Sequence, residues 1–177
     1  MAKENWEVDF VHSSLGFTVR HMVISKVHGV FGKWAASFSL DTEDFPASSV
    51  SVEVDIASID TKEEKRDGHL KSADFFDAEK FPKMTFKSTK VEKTGGDRLA
   101  ITGDLTIRGT TKSVVLDAEY AGRAKDPWGG ERAGFAASTK INRKDFGLHW
   151  NQALETGGVL VGEQVEIKVD LELTRAK

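Results

Sequence analysis

The chain has 177 residues, of which 39% are hydrophobic and 30% charged, a formal net charge of -3 and no cysteine. Such a length suits one core, so residues 1–177 are read as a single domain, and the composition is that of a chain that folds rather than stays disordered. The charge balance offers no basic field for a phosphate backbone, which argues against nucleic acid as a partner, and without thiols no disulfide, thiolate metal site or thiol nucleophile can form.

Along the chain the dominant period is two, the mark of half-buried antiparallel strands. A short strand is expected around Trp6 and Val8, and longer ones near residues 14–20 and 27–40. Val50, Val52, Val54 and Ile56 then alternate with polar residues. Thr61 followed by Glu64 is a capping-box pattern, so one short helix is placed at residues 61–72. Phe75, Phe76 and Phe81 follow it, with Pro82 breaking the chain before a strand near 84–92. Gly95-Gly96 reads as a hairpin turn, Leu99 to Ile107 and Val114 to Tyr120 alternate, and the Arg108-Gly109-Thr110-Thr111 run joins them. After a loop at Asp126-Pro127-Trp128-Gly129-Gly130 comes a strand near 131–141, and the cleanest alternation runs through Val165, Ile167, Val169, Leu171 and Leu173. In all about eight strands joined by short hairpins predict an all-β meander closed as an up-and-down barrel, with a sandwich as the alternative.

No segment carries a basic region followed by an apolar leader core, and no apolar run is long enough to cross a bilayer as a helix. The expected address is the cytoplasm if the sequence is complete and the periplasm if a leader was removed, without stable membrane insertion; a homodimer is compatible with the sequence.

The motifs of common enzymes are missing: no Gly-x-Ser-x-Gly elbow, no phosphate-binding Gly-x-x-x-x-Gly-Lys and no dinucleotide fingerprint occurs. His12, His21, His28, His69 and His149 are dispersed, so a metal site would need folding to assemble it, and neither a metal nor another cofactor is expected. Asp74 and Asp77 read as turn formers rather than an acid–base pair, and Arg143-Lys144-Asp145 as a solvated turn. The rings are more suggestive: eleven phenylalanines and four tryptophans stand against one tyrosine, so most lack a polar tip and favour a dry environment. An eight-stranded barrel has an interior just wide enough for packed side chains or one slender ligand. Small residues at expected inward positions, Gly103, Ala118, Gly122 and Ala137, make a cavity plausible.

Three ordered blocks resemble the YceI-like family of lipid-binding, lipocalin-like barrels. They are Asp9 through Met22, continuing to His28-Gly29 and Phe31; Arg66 through Asp77, then Phe81-Pro82 and Phe86; and Thr102 through Thr111, with Ile141 through Gly147 downstream. The resemblance covers nearly the whole chain. It implies an eight-stranded barrel whose pore holds a polyisoprenoid tail for storage, transport or sequestration, with the polar head near one opening and no chemistry performed on it. Phe17, Val19, Phe31, Phe38, Val52, Val54, Phe75, Phe76, Phe81, Phe86, Leu105, Phe135, Phe146 and Trp150 are the candidate lining residues, chosen as aromatic or alternating apolar positions near those blocks. Arg20, His21, His69, Arg143 and His149 are the candidate donors to a diphosphate head. Alternatives are a carrier of quinones or fatty acids, an enzyme acting on a prenyl diphosphate, and an interaction module with a filled core.

Overall fold

A computed structural model describes residues 3–154 and 158–176. Its strands are β1 (Glu4–Val8), β2 (Ser14–His21), β3 (Ser25–Phe31), β4 (Trp34–Leu40), β5 (Ser49–Asp55), β6 (Ile59–Asp60), β7 (Lys83–Gly95), β8 (Arg98–Ile107), β9 (Thr110–Lys125), β10 (Glu131–Asn142) and β11 (Val161–Arg175). One helix, α1 (Glu64–Lys71), interrupts them. The eleven segments form a single sheet, but they act as eight strands. β1 and β2 both lie antiparallel along the same edge of β11, β3 and β4 continue along their other edges, and β5 and β6 do the same one strand further. Each of these three pairs is therefore one tall strand broken by an irregularity, and the contact of β1 and β2 with β11 closes the antiparallel barrel. Closure leaves, among the described strands, only the two-residue β6 paired on one side alone, too short an edge to template aggregation.

β11 shows why these residues fold this way. Its Val165, Ile167, Val169, Leu171 and Leu173 point inward at every second position, while Lys168 and Asp170 face water. Leu173 is fully buried. At 15 residues β11 is far longer than the usual strand, as is β9 with 16, so the barrel is deep.

Two local expectations are corrected. The α1 cap is Glu63, whose carboxylate accepts from the Arg66 N–H, not Thr61. Thr61 is buried, its N–H donates to the Asp67 carboxylate at 2.9 Å, and its hydroxyl and carbonyl oxygens accept from the Arg66 guanidinium at 2.8 Å each. Gly103 makes no space, because the Phe86 ring lies where a Cβ would stand, 2.5 Å away. Gly122 belongs to an irregularity where the β9–β10 register slips, and has positive φ. Ala118 and Ala137 do face a cavity.

The hairpin turns differ in strain. Arg108 and Gly109, both at positive φ, make the two-residue loop between β8 and β9 in the geometry that suits a twisted hairpin. Between β2 and β3 the three-residue loop Met22-Val23-Ile24 places two non-glycine residues there, Met22 at φ 54° and Val23 at φ 68°. Left-handed backbone costs an L-residue roughly 1–2 kcal/mol, and for a β-branched side chain it is a true outlier.

Candidate functional site: an apolar file with a polar mouth

Three spaces follow one another through the barrel. The innermost, about 90 Å³, lies among Phe38, Leu40, Phe45, Val91, Leu99, Ala118, Phe135 and Leu171, with Val52 and Phe86 on its wall. The second, about 100 Å³, lies among Phe17, Val19, Phe31, Leu70, Phe75, Phe76, Phe146 and Ile167. Among the described residues Leu15 alone lines both. The third, about 360 Å³, opens at the end where β2 turns into β3; it shares Phe17, Val19, Leu70, Phe75 and Val161 with the second and adds Arg20, His21, Lys65, Arg66, His69 and Trp150.

The inward row of β11 measures this file. Val161 touches the mouth, Val165 and Ile167 the middle space, Val169 and Leu171 the innermost. Ten residues of strand separate the first from the last, roughly 33 Å along the chain. The innermost end is plugged by a 3-10 turn, Phe45–Ala47, whose buried Phe45 ring meets Tyr120 at 5.0 Å and Phe135 at 6.2 Å. The two inner spaces are each smaller than the roughly 150 Å³ cavity that holds a benzene ring. The resting barrel therefore offers a slit whose walls nearly touch, suited to a thin flexible chain and closed to a polycyclic body.

The polar groups are sorted by depth. Arg143 is buried on the wall of the middle space, and burial pushes its pKa down. Four of its five N–H donors serve backbone carbonyls: Leu148 at 2.7 Å, Gly162 at 2.8 Å, Trp150 at 2.9 Å and Val161 at 3.2 Å. It staples residues 148–150 to residues 161–162, which corrects the expectation of a head-group donor. His149 is exposed and lies on none of the three walls, so that expectation is corrected as well. At the mouth His69 packs its ring against Trp150 at 4.6 Å and Phe75 at 5.1 Å, while its Nε2 sits 2.9 Å from the Asp74 carboxylate. Arg20 and Lys65 are exposed and, among the described residues, form no ion pair.

Of the expected lining residues, Phe17, Val19, Phe31, Phe38, Val52, Phe75, Phe76, Phe86, Phe135, Phe146 and Trp150 lie on these walls, and Arg20, His21 and His69 gather at the mouth. Val54 and Leu105 are instead sealed in the core, where neighbours fill the space around them. Phe81 packs over Gly109, its ring 2.9 Å from where a Cβ would be, and serves the β8–β9 turn. Residues that sequence reasoning passed over include Leu15, Phe45, Lys65 and Leu70. Leu15 was within reach, since it shares the period-two face of Phe17 and Val19; Phe45 sits outside any periodic run and carried no signal.

Asp9, His12 and Glu172 bring donor atoms within 4.8 Å of one another on the barrel wall. The Arg132 guanidinium already stands 2.8 Å from Asp9 and 2.9 Å from Glu172, so a cation fills that cluster.

Comparison with known proteins agrees with this architecture. The sequence profile described as the YceI-like domain matches residues 6–173. The UPF0312 protein of Vibrio cholerae is 47% identical over 137 residues, covering 77% of this chain and 72% of that one. The crystal structure of the Campylobacter jejuni YCEI protein is 35% identical with a TM-score of 0.77, covering 89% of this chain and 90% of that one. A polyisoprenoid binding domain from Saccharophagus degradans shares the fold at 14% identity, with a TM-score of 0.69 over 97% of this chain and 98% of that one.

Proposed function

From the premise that the chain belongs to the YceI-like family, we propose that it is a carrier that threads a long isoprenoid tail through the barrel and leaves the head group at the mouth. One observation carries the reading: the succession of apolar spaces along β11 from Val161 to Leu171, plugged at one end by Phe45 and rimmed at the other by Arg20, His21, Lys65 and His69. That the Saccharophagus fold neighbour is a polyisoprenoid binding domain supports the ligand class.

The driving force needs little polar specificity. Each CH₂ removed from water contributes roughly 0.8 kcal/mol, so even after the cost of ordering a flexible chain a long tail has ample affinity. Arg20 and Lys65, without an ion pair among the described residues, suit an anionic head such as a diphosphate, because charge-assisted hydrogen bonds are the strong ones. No chemical step on the tail is invoked; phosphate release from a prenyl diphosphate would replace this reading with an enzyme.

The test is to purify the protein from its own host, unfold it and identify the extracted lipid by mass spectrometry. A long-chain isoprenoid in near-stoichiometric amount is expected, and a protein that releases no lipid, or only a compact polycyclic one, would sink the proposal. Leu15 sharpens the measurement. Leu15→Trp fills the junction of the two inner spaces and should shift the bound chains to shorter lengths, whereas Leu15→Ala joins the spaces and should admit longer ones.

A further inference from the structure

We infer that the β2–β3 hairpin tip is a membrane-docking element that seats the mouth of the barrel on an anionic phospholipid surface. The inference rests on the carrier reading above but on different observations. Met22, Val23 and Ile24 project at 42%, 53% and 86% exposure. Val159, 39% exposed, stands beside them, since the Met22 N–H donates to the Leu160 carbonyl at 2.8 Å and the Val23 side chain closes on Gly158.

This tip breaks local rules that a merely structural turn would keep. Met22 and Val23 hold left-handed backbone where Asn-Gly would sit without strain, and three apolar side chains are offered to water. Just behind them Arg20 and Lys26 face each other across the β2–β3 register, a like-charge pair that disfavours the hairpin. Features that oppose folding and persist point to a use outside the fold.

The chemistry of the surroundings selects the partner. From residue 10 to residue 40 the chain carries no Asp or Glu, although it has 28 acidic residues in all and a net charge of -3. Arg20 and Lys26 therefore form a cationic collar around a greasy tip, and Lys65 extends it across the mouth. Apolar insertion supported by basic residues is how proteins bind anionic bilayers without spanning them. The tip is continuous with the mouth, because Arg20 and His21 belong to both, so docking there would set the opening against the bilayer and let a tail pass without crossing water.

The test is co-sedimentation with vesicles of phosphatidylcholine and phosphatidylglycerol in equal parts, compared with phosphatidylcholine alone. The wild-type chain should bind the mixed vesicles and release them at high salt. Met22→Asn combined with Val23→Gly removes most of the tip while relaxing its backbone, so the variant should melt no lower than the wild type yet bind mixed vesicles at least about tenfold more weakly. Lys26→Glu should weaken binding about fivefold or more on mixed vesicles and leave neutral ones unaffected. Tail binding is measured separately with a detergent-solubilised polyprenol. Should the tip variant lose vesicles and keep the polyprenol, both readings stand. Vesicle binding that depends on the tip in a chain that takes up no polyprenol would keep docking and reject the cargo. Unchanged vesicle binding by the tip variant would overturn docking, as would a wild-type dimer that the same variant turns into a monomer without vesicle binding in either form.

Discussion

At the end where β7 turns into β8 the barrel is shut by rings and paired charges, whereas at the end where β2 turns into β3 it opens into a wider mouth where Arg20 and Lys65 form no ion pair among the described residues. Glu4 accepts hydrogen bonds from Arg123 and Arg175 at 2.9 Å each, Glu131 meets both arginines, and Phe45 closes on Tyr120 and Phe135 beneath them. The Arg123 hydrogen bond holds the Glu4 carboxyl below the usual carboxylate range, and burial pushes the Tyr120 hydroxyl up. At the open end Arg20 and Lys65 point into a 360 Å³ mouth without an ion pair among the described residues. The contrast teaches a direction: one end is finished by contacts within the chain, the other keeps its chemistry for a visitor.

The sharpest way to break this contrast is to open the closed end. Phe45→Ala removes a buried ring beside an existing cavity and should destabilise the fold by about 3–5 kcal/mol in chemical denaturation. It should also lengthen the chains the barrel retains, read by mass spectrometry of the extract. A variant as stable as the wild type would mean that the innermost space is not sealed by this ring.

The next largest effect tests whether the mouth is held from within. Arg143→Met keeps the bulk but strips donors from four carbonyls, and should cost about 2–3 kcal/mol, since buried acceptors left unpaired are expensive. Amide exchange over residues 147–154 and 158–162 should quicken while the β7–β8 strands stay protected. If Arg143 acted chiefly on a head group, the loss would appear in ligand affinity with stability unchanged.

How much of this could be read beforehand follows the physics of each region. Period-two alternation located the inward rows, and with them Phe17, Val19, Val52 and the β11 face, because a strand exposes its role in every second residue. The same period could not tell a residue facing a void from one facing a neighbour. Val54 and Val52 share a face of β5, yet one is sealed and the other lines the innermost space. Arg143 looked like a surface cation in a charged triplet because nothing local marks the carbonyls that fold back onto it from residues 148 to 162. A glycine read as empty space failed where a cross-strand phenylalanine covers it, as Phe86 covers Gly103.

The smallest effect concerns the break between β1 and β2, where a charged clasp sits on the barrel wall. His12 Nδ1 lies 2.8 Å from Asp9 and 3.2 Å from Glu172, and Arg132 binds Asp9, Glu172 and Asp126. The hydrogen bond His12 donates to the Asp9 carboxylate raises the His12 pKa, and the same bond, then that from Arg132, holds the Asp9 carboxyl far below its ordinary range. The signs run in opposite directions. A raised histidine stabilises the fold below its unfolded pKa and loses that contribution as pH rises through the folded value; a depressed carboxylate stabilises above its unfolded pKa and loses it as pH falls through the folded one. The clasp should therefore be tightest between about pH 4 and about pH 6.5, and the melting temperature should decline as pH climbs past the imidazole range. His12→Gln should flatten that decline and also shrink the acid limb, of which the Asp9–Arg132 contact keeps the remainder. Because His12 is exposed, salt should shrink the effect, so a slope that survives both the substitution and high salt would assign the titration elsewhere and leave the clasp as geometry alone.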